Sequence, residues 1–183
     1  GSSDVMGDGG ILTQTAHRVG VPVAAERNVD PEPVAAIEGA GGRAEAMAER
    51  VDVVFADDER ATFEAVHWMI TARGYDSIGY LGVAPEYPPS PRRWSGFKRA
   101  LDAAGMSLDP DFEMLGNWSP ESGGLAVQSL LESGKLPAAI FALNDLMAIG
   151  AILALQDAGL SVPEDVAVMG FDNIREGTMI RPK

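Results

Sequence analysis

The chain contains no cysteine. That single absence removes disulfides, thiolate nucleophiles and Cys-based zinc sites, and it fits a reducing, cytoplasmic setting. Histidine is nearly as scarce. His17 and His67 have no His, Cys or carboxylate at a ligand interval that stands out. Neither a metal site nor a Ser-His-Asp constellation is therefore expected. Positive charge is also short, with 14 Lys and Arg against 27 Asp and Glu and a net charge of −13. A duplex-binding surface needs clustered cations to displace counterions, so any contact with DNA falls to a segment outside this sequence. No apolar run is long enough to span a bilayer, and no basic-then-apolar leader opens the chain. Neither a G-x-S-x-G elbow nor a G-x-x-x-x-G-K-[ST] phosphate loop occurs, and catalysis finds no support. Gly1-Ser2-Ser3 lacks an initiator Met and reads as an expression remnant.

What is present is a repeated pattern. Hydrophobic residues make up 46% of the 183, enough for a packed core. Strands are predicted at Gly10–Thr13, Val21–Ala25, Val51–Ala56, Ser77–Gly82, Phe112–Leu115, Ala138–Ala142 and Val166–Gly170. Segments with helical spacing lie between the later ones, closing at Gly74, Gly105, Gly134 and Gly159. The prolines at 85, 88, 89 and 91 read as a stiff loop, with helix from Arg92. This alternation predicts a parallel sheet with right-handed crossovers. Four of the strands end in polar or aromatic tips: Arg92-Arg93, Trp118, Asn144-Asp145 and Asp172-Asn173. Open α/β sheets bind ligands at that carboxyl edge.

Several motifs carry competing meanings. Gly39-Ala40-Gly41-Gly42-Arg43-Ala44 spells a dinucleotide fingerprint, but the residues before it read as helix where the motif needs a strand. A Gly-rich break between helical pieces is the better reading. Asp57-Asp58-Glu59 is best read as a helix cap, which leaves Asp58 as a candidate ligand contact. Of Arg92 and Arg93, one is expected to point inward and the other to solvent. Trp118, at a strand-to-helix junction, suits stacking on a sugar ring or a base. Asn144 and Asp172 offer the donors and acceptors that a polyhydroxyl ligand needs.

From about Phe55 onward the chain resembles the lactose-repressor/galactose-repressor (LacI/GalR) family of bacterial regulators. The resemblance rests on Gly74-Tyr75-Asp76-Ser77-Ile78-Gly79-Tyr80-Leu81-Gly82, Arg93-Trp94-Ser95-Gly96-Phe97 and Trp118-Ser119-Pro120-Glu121. It continues through Ala142-Leu143-Asn144-Asp145-Leu146-Met147-Ala148-Ile149-Gly150 and Val162-Pro163-Glu164-Asp165-Val166-Ala167-Val168-Met169-Gly170-Phe171-Asp172. It implies an α/β, periplasmic-binding-protein-like effector domain: parallel sheets flanked by helices in three layers, with an incomplete first subdomain. Residues 4–73 are expected to form that partial subdomain and 74–183 the second. The resemblance also implies that Arg93, Trp118, Asn144 and Asp172 meet a small-molecule effector, with the aromatic favouring a sugar, and Asp58 joins them as the candidate contact read from its own cluster. The resemblance implies a homodimer and operator DNA bound through a helix-turn-helix absent here, with no cofactor, metal, membrane or enzymatic step. A solute-binding protein of a sugar transporter shares the fold and is the first rival. A nucleotide-dependent oxidoreductase, resting on Gly39–Ala44, is the second.

Overall fold

The structure is a computed structural model that describes residues 23–26, 53–87 and 89–181. The strand expected at Gly10–Thr13, the Ala-rich 34–50 segment and the Gly39–Ala44 fingerprint lie outside the described residues. The chain divides into two compact units, one formed by Val21–Asp57 and one containing everything from Asp58 onward.

In the first unit β1 (Val23–Glu26) pairs with β2 (Val53–Ala56) in antiparallel register, Val23 opposite Ala56. This corrects the expectation of parallel pairing throughout. Alternation along a sequence fixes where strands fall, but an antiparallel partner needs no helical crossover, so it does not fix their sense.

The second unit follows the expected alternation. In order it contains α1 (Asp58–Thr71), β3 (Ile78–Val83), α2 (Ser90–Ala103), β4 (Glu113–Gly116), α3 (Pro120–Ser133), β5 (Ala139–Ala142), α4 (Asp145–Asp157) and β6 (Ala167–Met169). The four strands are all parallel, in the order β4-β3-β5-β6. β3, β5 and β6 are buried along their whole length, which is why they read as nearly unbroken apolar runs. β4, at the edge, alternates: Met114 is buried while Glu113 and Leu115 are exposed. From β3 the chain moves outward to β4, then returns past β3 to β5 and on to β6. Right-handed crossovers in those opposite directions put α2 on one face of the sheet and α3 and α4 on the other. The result is the expected three-layer arrangement, with its direction change between β3 and β5.

Helix ends follow local chemistry. Ser119 caps α3 by accepting the Ser122 N–H at 3.2 Å, Pro120 takes the first helical position, and Gly134 closes the helix at φ +70°. α2 departs from expectation, beginning at Ser90 rather than Arg92. Pro91 sits in its first turn, where a missing N–H costs nothing, so the proline cluster does not exclude helix there. The Ser90 hydroxyl donates to the Val83 carbonyl at 3.0 Å and ties the start of α2 to the end of β3.

By packing, α1 belongs with the second unit, although the sequence reading leaves residues up to 73 with the preceding subdomain. α1 lies tightly along α2: a Cβ at Gly96 would sit 2.2 Å from the Glu59 carbonyl oxygen. The α3–α4 contact is closer still, because a Cβ at Gly150 would sit 1.8 Å from the Pro120 carbonyl oxygen. Gly150→Ala is therefore expected to force these helices apart and to cost about 2 kcal/mol or more in a urea unfolding experiment. An unchanged unfolding midpoint would refute that packing.

Candidate functional site

The switch between β3 and β5 brings α2 and the end of β5 together, and Arg93 occupies the junction. It is 7% exposed, whereas its neighbour Arg92 lies on the surface. The Arg93 Nε donates to Asp58 Oδ1 at 2.8 Å, and one terminal nitrogen donates to the Leu143 carbonyl. The other donates to Asp172 Oδ1 at 3.0 Å. The guanidinium also stacks on Phe171, its central carbon 3.9 Å from the ring centroid. One planar cation thus joins the start of α1, the end of β5 and the loop after β6, as a forked donor can.

The two carboxylates differ. The Asp58 side chain is 10% exposed and that of Asp172 is 39% exposed. Burial raises the Asp172 pKa above the ordinary carboxylate value, outweighing the attraction of Arg93. Asp172 and Asn173 both adopt left-handed backbone conformations, at φ +102° and +56°. Asn tolerates that region far better than most residues, and the pair turns the loop sharply across the sheet edge.

Asn144 caps α4, its Oδ1 accepting the Met147 N–H at 2.9 Å. Its Nδ2 donates to the Trp118 carbonyl at 3.2 Å. Trp118 is half-buried and itself left-handed, at φ +73°. The structure therefore brings the five expected residues into one hydrogen-bonded chain. Arg93, Asp58 and Asp172 pair directly, and Asn144 joins Trp118. The Leu143–Asn144 peptide connects the two groups.

Three further contributors are the Leu143 carbonyl and the Phe171 ring, which the sequence does not flag, and the Asp145 carboxylate, which it names only as half of the Asn144-Asp145 tip. Asp145 is 2% exposed, its Oδ2 accepts the Ile174 N–H at 2.8 Å, and its Oδ1 has no hydrogen-bond partner. Burial pushes its pKa up to about 6, and the charge of Asp172 adds to the rise. Its signal was the acidic residue directly after the cap, which reads as ordinary first-turn charge. Among the described residues no group of three or more acidic or His side chains could hold a metal ion. A recess of about 340 Å³ lies elsewhere, between β4 and α3, and none of the five residues borders it.

A doubly wound sheet with a charged, aromatic-flanked cluster at its carboxyl edge is the architecture of a domain of the periplasmic-binding-protein type. Residues 67–183 match the family model described as a periplasmic binding protein-like domain. Over 135 residues the chain is 38% identical to catabolite control protein A of Priestia megaterium, covering 73% of this chain and 40% of that protein. Over 121 residues it is 41% identical to the HTH-type transcriptional regulator AscG of Escherichia coli (66% and 36%). A sugar-binding LacI-family transcriptional regulator from Escherichia coli, solved with phosphate, superposes with a TM-score of 0.64 at 40% identity, over 68% of this chain and 44% of that one. The chain belongs to the periplasmic binding protein-like domain family, in the form found in LacI/GalR-type regulators. It spans about two fifths or less of the length of the curated relatives named here.

Proposed function

We propose that this chain is the effector-sensing part of a LacI-type transcriptional regulator and that its effector is a sugar or sugar-like molecule. The observation that carries the reading is the Arg93 cluster at the sheet's switch point, with the half-exposed Asp172 carboxylate in it and Trp118 joined to it through Asn144. In this reading Arg93, Trp118, Asn144, Asp172 and Asp58 make up the carboxyl-terminal half of the effector site, and residues before Asp58 belong to a partial amino-terminal subdomain. Carboxylate and guanidinium suit ring hydroxyls, and an indole suits the C–H face of a sugar. Sensing requires no catalysis. Effector contacts made better in one conformation than in another shift the population toward it, and so change operator affinity.

Operator contact is assigned to a helix-turn-helix outside this sequence, consistent with the net charge of −13. A homodimer is supported by Leu125 on α3 and Leu153 on α4, 63% and 46% exposed on the paired helices of one face. A cytoplasmic location follows from the regulatory role. No helix among the described residues is long and apolar enough to cross a membrane.

The test is thermal stabilisation by a panel of neutral sugars, sugar phosphates, nucleosides and nicotinamide cofactors. A ligand at a hundredfold its Kd stabilises by about 2.7 kcal/mol. A sugar response that disappears in Asp172→Ala is expected. A response confined to nucleosides or nicotinamide cofactors, or no response at all, would refute the sugar reading.

A further inference from the structure

Helices that begin at the carboxyl edge of a parallel sheet ordinarily offer free N–H groups and positive dipole ends to a ligand anion. Here α2, α3 and α4 each follow a strand of the sheet and begin at that edge. The pair of Arg93 with Asp58 sets the start of α1 beside them. We infer that this half of the site is closed to anions, because the chain's own carboxylates take the places of a ligand phosphate or carboxylate, and that the effector is an uncharged polyhydroxyl molecule rather than a sugar phosphate or sugar acid. The inference names the ligand class of the site proposed above and rests on that reading.

Three observations carry it. First, three of the four helices bring an acid in their first turn: Asp58 and Glu59 in α1, Glu121 in α3 and Asp145 in α4. End N–H groups of α3 and α4 are engaged as well, Ser122 by Ser119 and Met147 by Asn144. Second, α2 has no acid in its first turn and brings Arg93 instead, but that guanidinium faces protein partners. Its Nε meets Asp58, and its terminal nitrogens meet the Leu143 carbonyl and Asp172. Third, the member of the outer ion pair that reaches the surface is the carboxylate. The Asp172 side chain is 39% exposed and that of Arg93 only 8%. A ligand approaching the cluster therefore meets the anion first, with the cation behind it. The buried Asp145 lies near enough to Asp172 for their charges to repel, so it adds to the same field.

The chemistry of the ligand follows from that surface. A neutral hydroxyl can donate to the Asp172 carboxylate, which only accepts. A phosphate-ester dianion has no proton to donate, and setting like charges against each other is among the strongest means of rejecting a ligand.

The test is a nuclear magnetic resonance titration of the full chain with sodium sulfate, a dianion without a proton at neutral pH, at ionic strength held constant with chloride. The Arg93 Nε–H resonance is the reporter. Asp172→Asn keeps an oxygen for Arg93, accepts the left-handed backbone and removes the outward charge. Asp172→Gly suits that backbone better still, and either folded variant suffices. Sulfate is expected to leave the reporter of the parent unmoved and to shift that of the variant saturably, with an affinity about tenfold or more above the parent's. A saturable shift in the parent would overturn the inference. A folded variant that answers no better than the parent would overturn it too, because the Asp172 carboxylate would then not be what turns anions away. Where the thermal panel yields a sugar, its phosphate ester should bind the parent about tenfold or more weakly, and an ester that binds as tightly would overturn the inference. Failure of the sugar reading leaves a different trace. A neutral nucleoside that stabilises the parent, with sulfate still excluded, would refute the sugar and support the closure to anions.

Discussion

Arg93→Ala is expected to destabilise the second unit by about 3–5 kcal/mol, the usual cost of breaking a buried ion pair from one side. The substitution strands Asp58, whose side chain is 10% exposed, and removes the donor to the Leu143 carbonyl. It also uncovers the Phe171 ring face. Much of that loss is the desolvation of an unpaired carboxylate rather than the worth of the pair itself. The double variant Arg93→Met with Asp58→Leu should therefore recover most of the stability while staying blind to sugars. Asp172→Ala should behave differently. Its side chain is 39% exposed, and partly exposed pairs contribute about 1 kcal/mol or less. Urea unfolding of the four proteins separates the cases. If Arg93→Ala unfolds at the parent's midpoint, Arg93 is not the structural hub described above. The same guanidinium that faces the proposed site also closes the junction of α1, β5 and the β6 loop.

The parts of this architecture legible in the sequence are those with local causes. Buried parallel strands leave continuous apolar runs, and their polar tips fall in loops, so Arg93, Trp118, Asn144 and Asp172 could be placed at one edge before any coordinates. Ser119-Pro120 and Gly134 mark the ends of α3 by chemistry confined to a few residues. What could not be read depends on distant partners. Asp58 is legible as a candidate contact, but nothing near it in sequence reveals its partner Arg93, 35 positions away. The Leu143 carbonyl is invisible to any reading of side chains. The start of α2 lies two residues before Arg92 because the first helical turn accepts a proline that the interior of a helix would not. The antiparallel sense of β1 and β2 has no local signature either. The left-handed conformation of Trp118 could not be foreseen, since Trp has no preference for it.

Asp145 yields the second large effect, and its sign can be worked out. Its folded-state pKa lies near 6, above the usual carboxylate value of 3.8, chiefly because the group is buried and secondarily because Asp172 repels it. A raised carboxylate pKa means that the folded state holds its proton more tightly than the unfolded chain. The stabilising contribution is full below pH 3.8, falls as the pH rises toward about 6, and is lost above that. At 1.36 kcal/mol per pKa unit, and discounted for partial solvent screening, the swing is about 2 kcal/mol. Asp145→Asn keeps an oxygen for the Ile174 N–H and cannot ionise. Relative to this variant, the parent should lose about 2 kcal/mol between pH 4 and pH 7, measured as the difference between their urea unfolding free energies. A difference that does not change with pH would show that Asp145 does not titrate as its burial requires. The Ile174 N–H that Asp145 accepts anchors the loop after β6, which carries Asp172. If that loop holds Asp172 in place for a sugar, Asp145→Asn should retain the sugar response at pH 7, whereas Asp145→Ala, which releases Ile174, should weaken it.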